Sequence, residues 1–403
     1  MALRFLTAGE SHGPALTGIV EGMPAGVAID VDRINQFLRW RQQGYGRGGR
    51  QRIESDQIEI TGGVRNSVTL GGPIAFTLVN RDFANWSQVM SPERPETPTP
   101  DEALPVRMRP KYTPRPGHAD LAGALKYRHD DIRNVLERAS ARETAARVAA
   151  CTFPRLLLDR LGFEFASHVI QIGGARTEQA ASFDDIAARA PESDVRCVDD
   201  QAAARMRAEV DRAREDGDTV GGVVEYRVRN VPVGLGRFSQ AADRLSSRLA
   251  AALMSIPASR GVEIGDGIAS AGQRGSAAHD EIYFDASAAP GDRRFGYRRY
   301  TNRAGGLEGG MTNGEELVLR LSTKPLSTLM QPLGSVDMQT RKASPALVER
   351  SDVCAVPPYA VIGEMLLAWV LADAVLEKFG SDTQSEIERN LAAYLQGPPC
   401  PDQ

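Results

Sequence analysis

An α+β fold in one compact unit is what the sequence predicts, from three observations. Short apolar runs punctuated by glycine recur at 3–21 and 57–80, with the patterning of half-buried strands. Residues with helical spacing follow at 30–43 and 120–160, as in helices packed along one face. No stretch between residues 1 and 395 reads as a linker, so these elements form a single large domain, with 396–403 as a disordered tail.

Leu3 to Leu6 is a short strand, Gly9-Glu10-Ser11-His12-Gly13 a polar turn, and the run ending at Glu21 a second strand, which together make a hairpin with a loaded loop. Asp30 is placed to cap a helix carrying Ile34, Phe37, Leu38 and Arg41, which stops at Gly44. The stretch Gly44 to Arg52 is too glycine-rich for a helix and too basic to be buried without a partner, so it reads as a binding loop. Residues 91–118 are proline-rich and predict a long surface loop, of the kind that carries function. The spacing predicts helices over Leu121–Tyr127 and Ile132–Ala150, broken before Pro154, and a helical surface at 180–216. A weak echo links Gly18-Ile19-Val20-Glu21, Pro24-Ala25-Gly26 and its following helix to Gly222-Val223-Val224-Glu225, Pro232-Val233-Gly234 and a helix at 243–254. Two strand-turn-helix copies would suit a pseudo-symmetric fold, and chance similarity is the alternative.

The chain of 403 residues is 42% apolar and 25% charged, an ordinary globular balance. No window reads as a membrane span, and Arg4, Glu10 and His12 stand where a signal-peptide core would, so a cytoplasmic protein is expected. Cys151, Cys197, Cys354 and Cys400 are scattered and predict free thiols, with no metal spacing. Lysine occurs only at 111, 126, 324, 342 and 378, so arginine supplies most positive charge. That excess suits carboxylate and phosphate ligands, or else reflects GC-rich coding. A net charge of -4 and no stripe of basic residues interleaved with aromatics argue against nucleic acid.

His12 and His118 sit in glycine-flanked turns, where backbone approaches a ligand closely and a side chain titrating near neutrality serves as a general acid. The bland alternative is a turn histidine capping backbone groups. His129, His168 and His279 have no comparable setting. Gly9 to Gly13 also matches a nucleophile elbow with Ser11 as nucleophile, but only ten residues precede that serine and no oxyanion motif accompanies it. The glycine-rich loop 301–314 offers backbone N–H groups to a phosphate or an aromatic ring. It has neither P-loop nor Rossmann spacing.

Taken in order, Gly9-Glu10-Ser11-His12-Gly13, Gly44-Tyr45-Gly46-Arg47-Gly48, Arg115-Pro116-Gly117-His118-Ala119-Asp120, Glu137 to Thr144, Gly261 to Gly265, the 301–314 loop and Arg350-Ser351-Asp352 resemble the chorismate synthase family from residue 3 to about 395. The extra basic insert Arg293 to Arg299 is similar to the high-GC bacterial branch. The resemblance implies a β-α-β sandwich, a homotetramer and reduced FMN bound near subunit contacts. It implies anti-1,4-elimination of phosphate from 5-enolpyruvylshikimate 3-phosphate to give chorismate. His12 would protonate the reduced flavin, His118 assist the departing phosphate, and Asp352 help relay the substrate proton. Arg41, Arg47 and Arg115 match positions for substrate, the first two also for NADPH. Arg138, Ala139, Ser140, Gly309, Lys324, Pro325, Leu326, Ser327, Thr328 and Arg350 match flavin-contacting positions. Pro257 and Ala258 match another, although Pro257 stands where the family often has an amide, which leaves a backbone contact there. NADPH, or a separate flavin reductase, would supply the reducing equivalents.

Overall fold

A computed structural model describes residues 3–48, 55–93, 99–349 and 351–397. Strands β1 (Arg4–Ala8) and β2 (Ala15–Glu21) form the expected hairpin, with Arg4 opposite Glu21 and Ala8 opposite Thr17. Helix α1 (Val31–Gln42) begins where Asp30 accepts a hydrogen bond from the Arg33 N–H at 3.0 Å. Strands β3 (Ile58–Gly62) and β4 (Ile74–Val79) complete an antiparallel sheet in the order β1-β2-β4-β3.

A second antiparallel sheet contains β5 (Glu164–Ile172), β6 (Ala175–Arg176), β7 (Gly222–Arg229), β8 (Ser259–Ile264) and β9 (Leu317–Thr323), in the order β8-β9-β7-β5-β6. Between the sheets lie α1, α2 (Thr144–Arg160), α3 (Leu245–Met254) and α4 (Val356–Phe379), with α2 packed on β2, and α4 packed on α1, α2, α3, β5 and β7. The architecture is a β-α-β sandwich of one α+β domain.

The internal echo is real in three dimensions. The successions β1-β2-α1-β3-β4-α2 and β5-β7-α3-β8-β9-α4 match, and so do the strand orders β1-β2-β4-β3 and β5-β7-β9-β8, with β6 added at one edge. Gly26 and Gly234, at φ +89° and +84°, turn the chain at equivalent places before α1 and α3.

Three expectations are corrected. By length and composition α4 is apolar enough to cross a membrane, at mean hydropathy 1.8, but 83% of that window is buried inside the protein. A helix enclosed by sheet and helices on all sides must be apolar all round, so composition alone does not separate the two cases. The helix read over Ile132–Ala150 is interrupted: Arg133–Leu136 is one short helix, and Ser140 is extended at ψ 143° before α2 begins. Third, α2 runs through Pro154 to Arg160. Its burial between β2, α1 and α4 outweighs the roughly 3 kcal/mol cost of an interior proline. The 91–118 segment holds no strand or α-helix among its described residues, as expected of a loop.

Gly363 of α4 lies so close to β7 that an added Cβ would sit 2.2 Å from the Tyr226 hydroxyl, which donates to the Tyr359 carbonyl. Gly363→Ala is expected to cost about 1–3 kcal/mol through overpacking, read as a lower urea midpoint at unchanged m-value.

On the outer face of the second sheet, Glu225 takes hydrogen bonds from Arg227 and Arg320 and lies 3.4 Å from His168 Nε2. Burial alone would raise its pKa. The bond to His168 and the charges of Arg227 and Arg320 outweigh burial and lower it from 4.5 to about 2. A carboxyl held low stabilises the fold fully above its unfolded pKa, and that contribution is lost as pH falls through the folded value. Glu225→Gln is therefore expected to flatten the decline in urea midpoint between pH 4.5 and about 2. An unchanged slope would contradict this.

Candidate active site

The β1–β2 turn presents His12, whose Nδ1 lies 2.9 Å from both carboxylate oxygens of Glu137. The Glu137 carboxylate also accepts the His12 backbone N–H at 2.9 Å and Arg133 Nη1 at 3.3 Å. Burial would raise the pKa of this carboxyl, but the His12 bonds and Arg133 outweigh it and hold it low. The break in the helical run at 137–140 lets Glu137 serve this loop while Ser140 Oγ donates to Ser11 Oγ at 3.2 Å. Ser11 is buried and its neighbour His12 is committed to Glu137, so the nucleophile-elbow arrangement is not formed. A cavity of about 610 Å³ lies alongside, lined by Glu10, Met108, Asp131, Arg133 and Glu137 among others.

Around His118 the Arg115–Asp120 turn builds a second unit. His118 Nδ1 is 2.5 Å from Asp120 Oδ1, and Arg115 Nε donates to Asp120 Oδ2 at 2.8 Å. Asp120 is fully buried, which would raise its pKa, yet its bonds to His118 and Arg115 hold it far below the usual carboxylate range. Arg115 Nη1 also donates to Thr328 Oγ1 at 2.8 Å. The Gly117 carbonyl accepts from Lys324 Nζ at 2.8 Å and from Ser327 Oγ at 2.9 Å, so the turn and the 324–328 segment are fastened together.

Further arginines brace the His12 turn and the Asp352 segment. Asp56, buried, receives Arg41 Nη2 at 3.1 Å and Arg142 Nη1 at 2.6 Å. Arg142 also donates to Asn80 Oδ1, whose own amide nitrogen donates to the Gly13 carbonyl at 2.6 Å in the His12 turn. Arg41 is only 5% exposed, and burial lowers its pKa to about 10. Arg47 Nη1 lies 2.7 Å from Asp352 Oδ2, and the Gly48 N–H donates to Asp352 Oδ1 at 2.7 Å. Three residues before Asp352, Glu349 lies 3.8 Å from Arg115 Nη1. Glu349 thus contacts the His118 unit and Asp352 the Arg47 loop, and Arg350 lies outside the described residues.

Of the flavin-matching positions, Arg138 is spent on the Thr7 and Gly9 carbonyls at 2.7 and 3.1 Å. Ala139 follows it at the same break. Ala258 is left-handed at φ +71°, and its carbonyl accepts the Lys324 N–H at 2.9 Å, so Pro257 and Ala258 form a turn against Lys324-Pro325-Leu326. Gly309, at φ +58°, has no heavy atom within 4 Å of an added Cβ and faces open space. Lys324 lies beside Arg260, and burial together with that arginine lowers its pKa. A half-buried cation beside another cation suits an anionic group such as a flavin phosphate, so the residues present fit this cofactor. The basic insert is no such site: Arg294, Arg298 and Arg299 pair with Glu315, Asp292 and Glu308, and Arg293 binds backbone carbonyls.

The family model for chorismate synthase matches residues 3–376. The chain belongs to the chorismate synthase family. It is 53% identical over 397 residues to the chorismate synthase of Symbiobacterium thermophilum, covering 98% of this chain and 99% of that one. It is 52% identical over 394 residues to that of Moorella thermoacetica, covering 98% of each. A crystal structure of chorismate synthase superposes with a TM-score of 0.76 at 36% identity, covering 98% of both chains. Membership in this family makes the chain a lyase of aromatic amino-acid biosynthesis that uses a reduced flavin. The residues that sequence reasoning left without a role are Glu137, Asp120, Asp56, Asn80 and Trp86, whose indole centroid lies 4.1 Å from that of the His12 ring. Asp120, two positions after a turn histidine, was readable as its partner, whereas Asp56 and Trp86 reach the site only through tertiary packing.

Proposed function

We propose that this chain catalyses the anti-1,4-elimination of phosphate from 5-enolpyruvylshikimate 3-phosphate, giving chorismate, with FMN as its flavin. The observation that carries this reading is that each of the three groups is held by its own carboxylate or cation, His12 by Glu137, His118 by Asp120 and Asp352 by Arg47. Lys324, Ser327, Thr328, Ala258, Gly309 and the 138–140 segment would hold the flavin, with Arg350 also in this set. When bound in its reduced form, the flavin supplies electron density that assists C–O cleavage while substrate and product stay at the same overall oxidation level.

His118, braced by Asp120, donates to the departing phosphate, and Arg115 supplies the fixed positive charge that a leaving phosphate needs. His12 would give the proton at its ring Nε2 to the reduced flavin. Asp352, held by Arg47 and the Gly48 N–H, takes up the proton lost from the substrate. NADPH as reductant near Arg41 and Arg47, or a separate flavin reductase, completes the reading. Steady NADPH consumption under air with FMN and no enolpyruvyl substrate would favour self-reduction, and its absence a separate supplier. A cytoplasmic homotetramer belongs to the same proposal. In its support, Leu6 and Ile19 lie opposite each other on the outer face of the first sheet, 73% and 44% exposed.

Expression of the chain in a bacterium lacking its own chorismate synthase is expected to restore growth without aromatic amino acids. Soluble expression without growth would count against the assignment.

A further inference from the structure

We propose that Glu137 and Trp86 are positioning residues that hold His12 with its proton on Nδ1, leaving Nε2 as the atom that meets the ligand. This rests on the reading of His12 as a catalytic group. The Glu137 carboxylate faces the backbone N–H of His12, the Arg133 guanidinium and His12 Nδ1. The first two can only donate, and a carboxylate so surrounded is ionised and can only accept. Nδ1 must therefore carry a hydrogen. Nε2 makes no hydrogen bond among the described residues, and the side chain stays 17% exposed.

Trp86 fixes the ring plane. Its indole lies 4.1 Å from the imidazole, centroid to centroid, at an interplanar angle of 33°. The indole is itself immobilised: it is buried, its N–H donates to Asp82 at 3.0 Å, and the Arg133 and Arg107 guanidinium groups lie 5.3 and 5.5 Å from its ring. With one face against an indole and one edge against a carboxylate, the imidazole has little freedom to rotate. His118 differs, because its Nδ1 faces both the Asp120 carboxylate at 2.5 Å and the Arg115 Nη2 donor at 3.1 Å.

The test uses full-length protein labelled with ¹⁵N-histidine, at a pH high enough for the ring to be neutral. Long-range proton–nitrogen spectra report which ring nitrogen carries the hydrogen, and the His12 signals are those lost in His12→Ala. Wild type is expected to show the proton on Nδ1. In Glu137→Gln one amide oxygen cannot serve every donor, so the amide NH2 turns to Nδ1 and the proton moves to Nε2. Turnover is expected to fall at least about tenfold, with KM and FMN affinity within about threefold. Glu137→Asp keeps an ionised acceptor and is expected to retain the Nδ1 proton and exceed Glu137→Gln in turnover. Trp86→Phe keeps a ring face and is expected to outperform Trp86→Ala. A proton that stays on Nδ1 in Glu137→Gln, or kcat within twofold of wild type there, overturns the role of Glu137. Equal activity of Trp86→Ala and wild type overturns that of Trp86. If Glu137→Gln does not fold, the aspartate variant decides alone: a proton on Nε2 sinks the proposal. The spectra need no substrate, so failure of the proposed reaction would show separately, as wild-type protein without turnover.

Discussion

His118→Ala is expected to lower kcat by at least about tenfold, and by about a hundredfold or more if proton donation is fully lost, while FMN affinity changes little. The expectation follows from how the side chain is held. Its Nδ1 is bonded to a fully buried carboxylate that is also committed to Arg115, so the ring is placed by charge as well as by shape. Removing the ring leaves Asp120 with Arg115 and leaves Arg115 with Thr328, so the surrounding turn keeps its main fastenings. The loss should therefore appear in turnover more than in folding. Asp120→Asn reaches the same step from the other side and leaves Arg115 facing a neutral amide, and it is expected to reduce kcat and stability together. Phosphate-release kinetics paired with urea unfolding separate the two variants. Near-wild-type turnover in His118→Ala would remove the leaving-group role.

Asp56→Ala is expected to cost about 3–5 kcal/mol of stability, because it strands two buried guanidinium groups at once. Arg41 and Arg142 are 5% and 7% exposed and share this one carboxylate. Desolvated cations that lose their counter-charge repel each other, and the charge of Arg142 already contributes to the lowered pKa of Arg41. Asp56→Asn keeps the shape and one acceptor and should lose less. Because Arg142 also anchors Asn80, and Asn80 anchors the His12 turn, the alanine variant is expected to loosen that turn before global unfolding. Amide hydrogen exchange at residues 9–13 reads this directly. A stability change under about 1 kcal/mol would contradict the assignment of Asp56 as the shared counter-ion.

The parts of the fold carried by local rules were legible in sequence. The β1–β2 hairpin, the Asp30 cap of α1, the strand character of 57–80 and the helix at 243–254 all follow from spacing and turn chemistry. The strand-turn-helix echo was readable too, although its meaning as two matching sheets appears only once strand order is known. What local rules missed was set by burial. Pro154 sits inside α2, and α4 resembles a membrane span, because both helices occupy the filled middle layer where packing overrides propensity. The interruption at 137–140 cost the sequence reading its main functional detail, since Glu137 leaves the helical run to reach His12. The arginine excess was only half informative: Arg115 and Arg47 stand at the site, whereas Arg155 and Arg227 are absorbed by ion pairs elsewhere in the fold. Cys151, Cys197 and Cys354 are buried thiols, as their scatter suggested, and Cys400 lies outside the described residues.

The most direct test of the central claim is anaerobic. Purified protein is mixed with photoreduced FMN and 5-enolpyruvylshikimate 3-phosphate, and chorismate absorbance is followed together with released phosphate. Equal amounts of both products with no net oxidation of the flavin are the predicted result. A folded, FMN-binding protein that yields neither product would contradict the proposed lyase reaction.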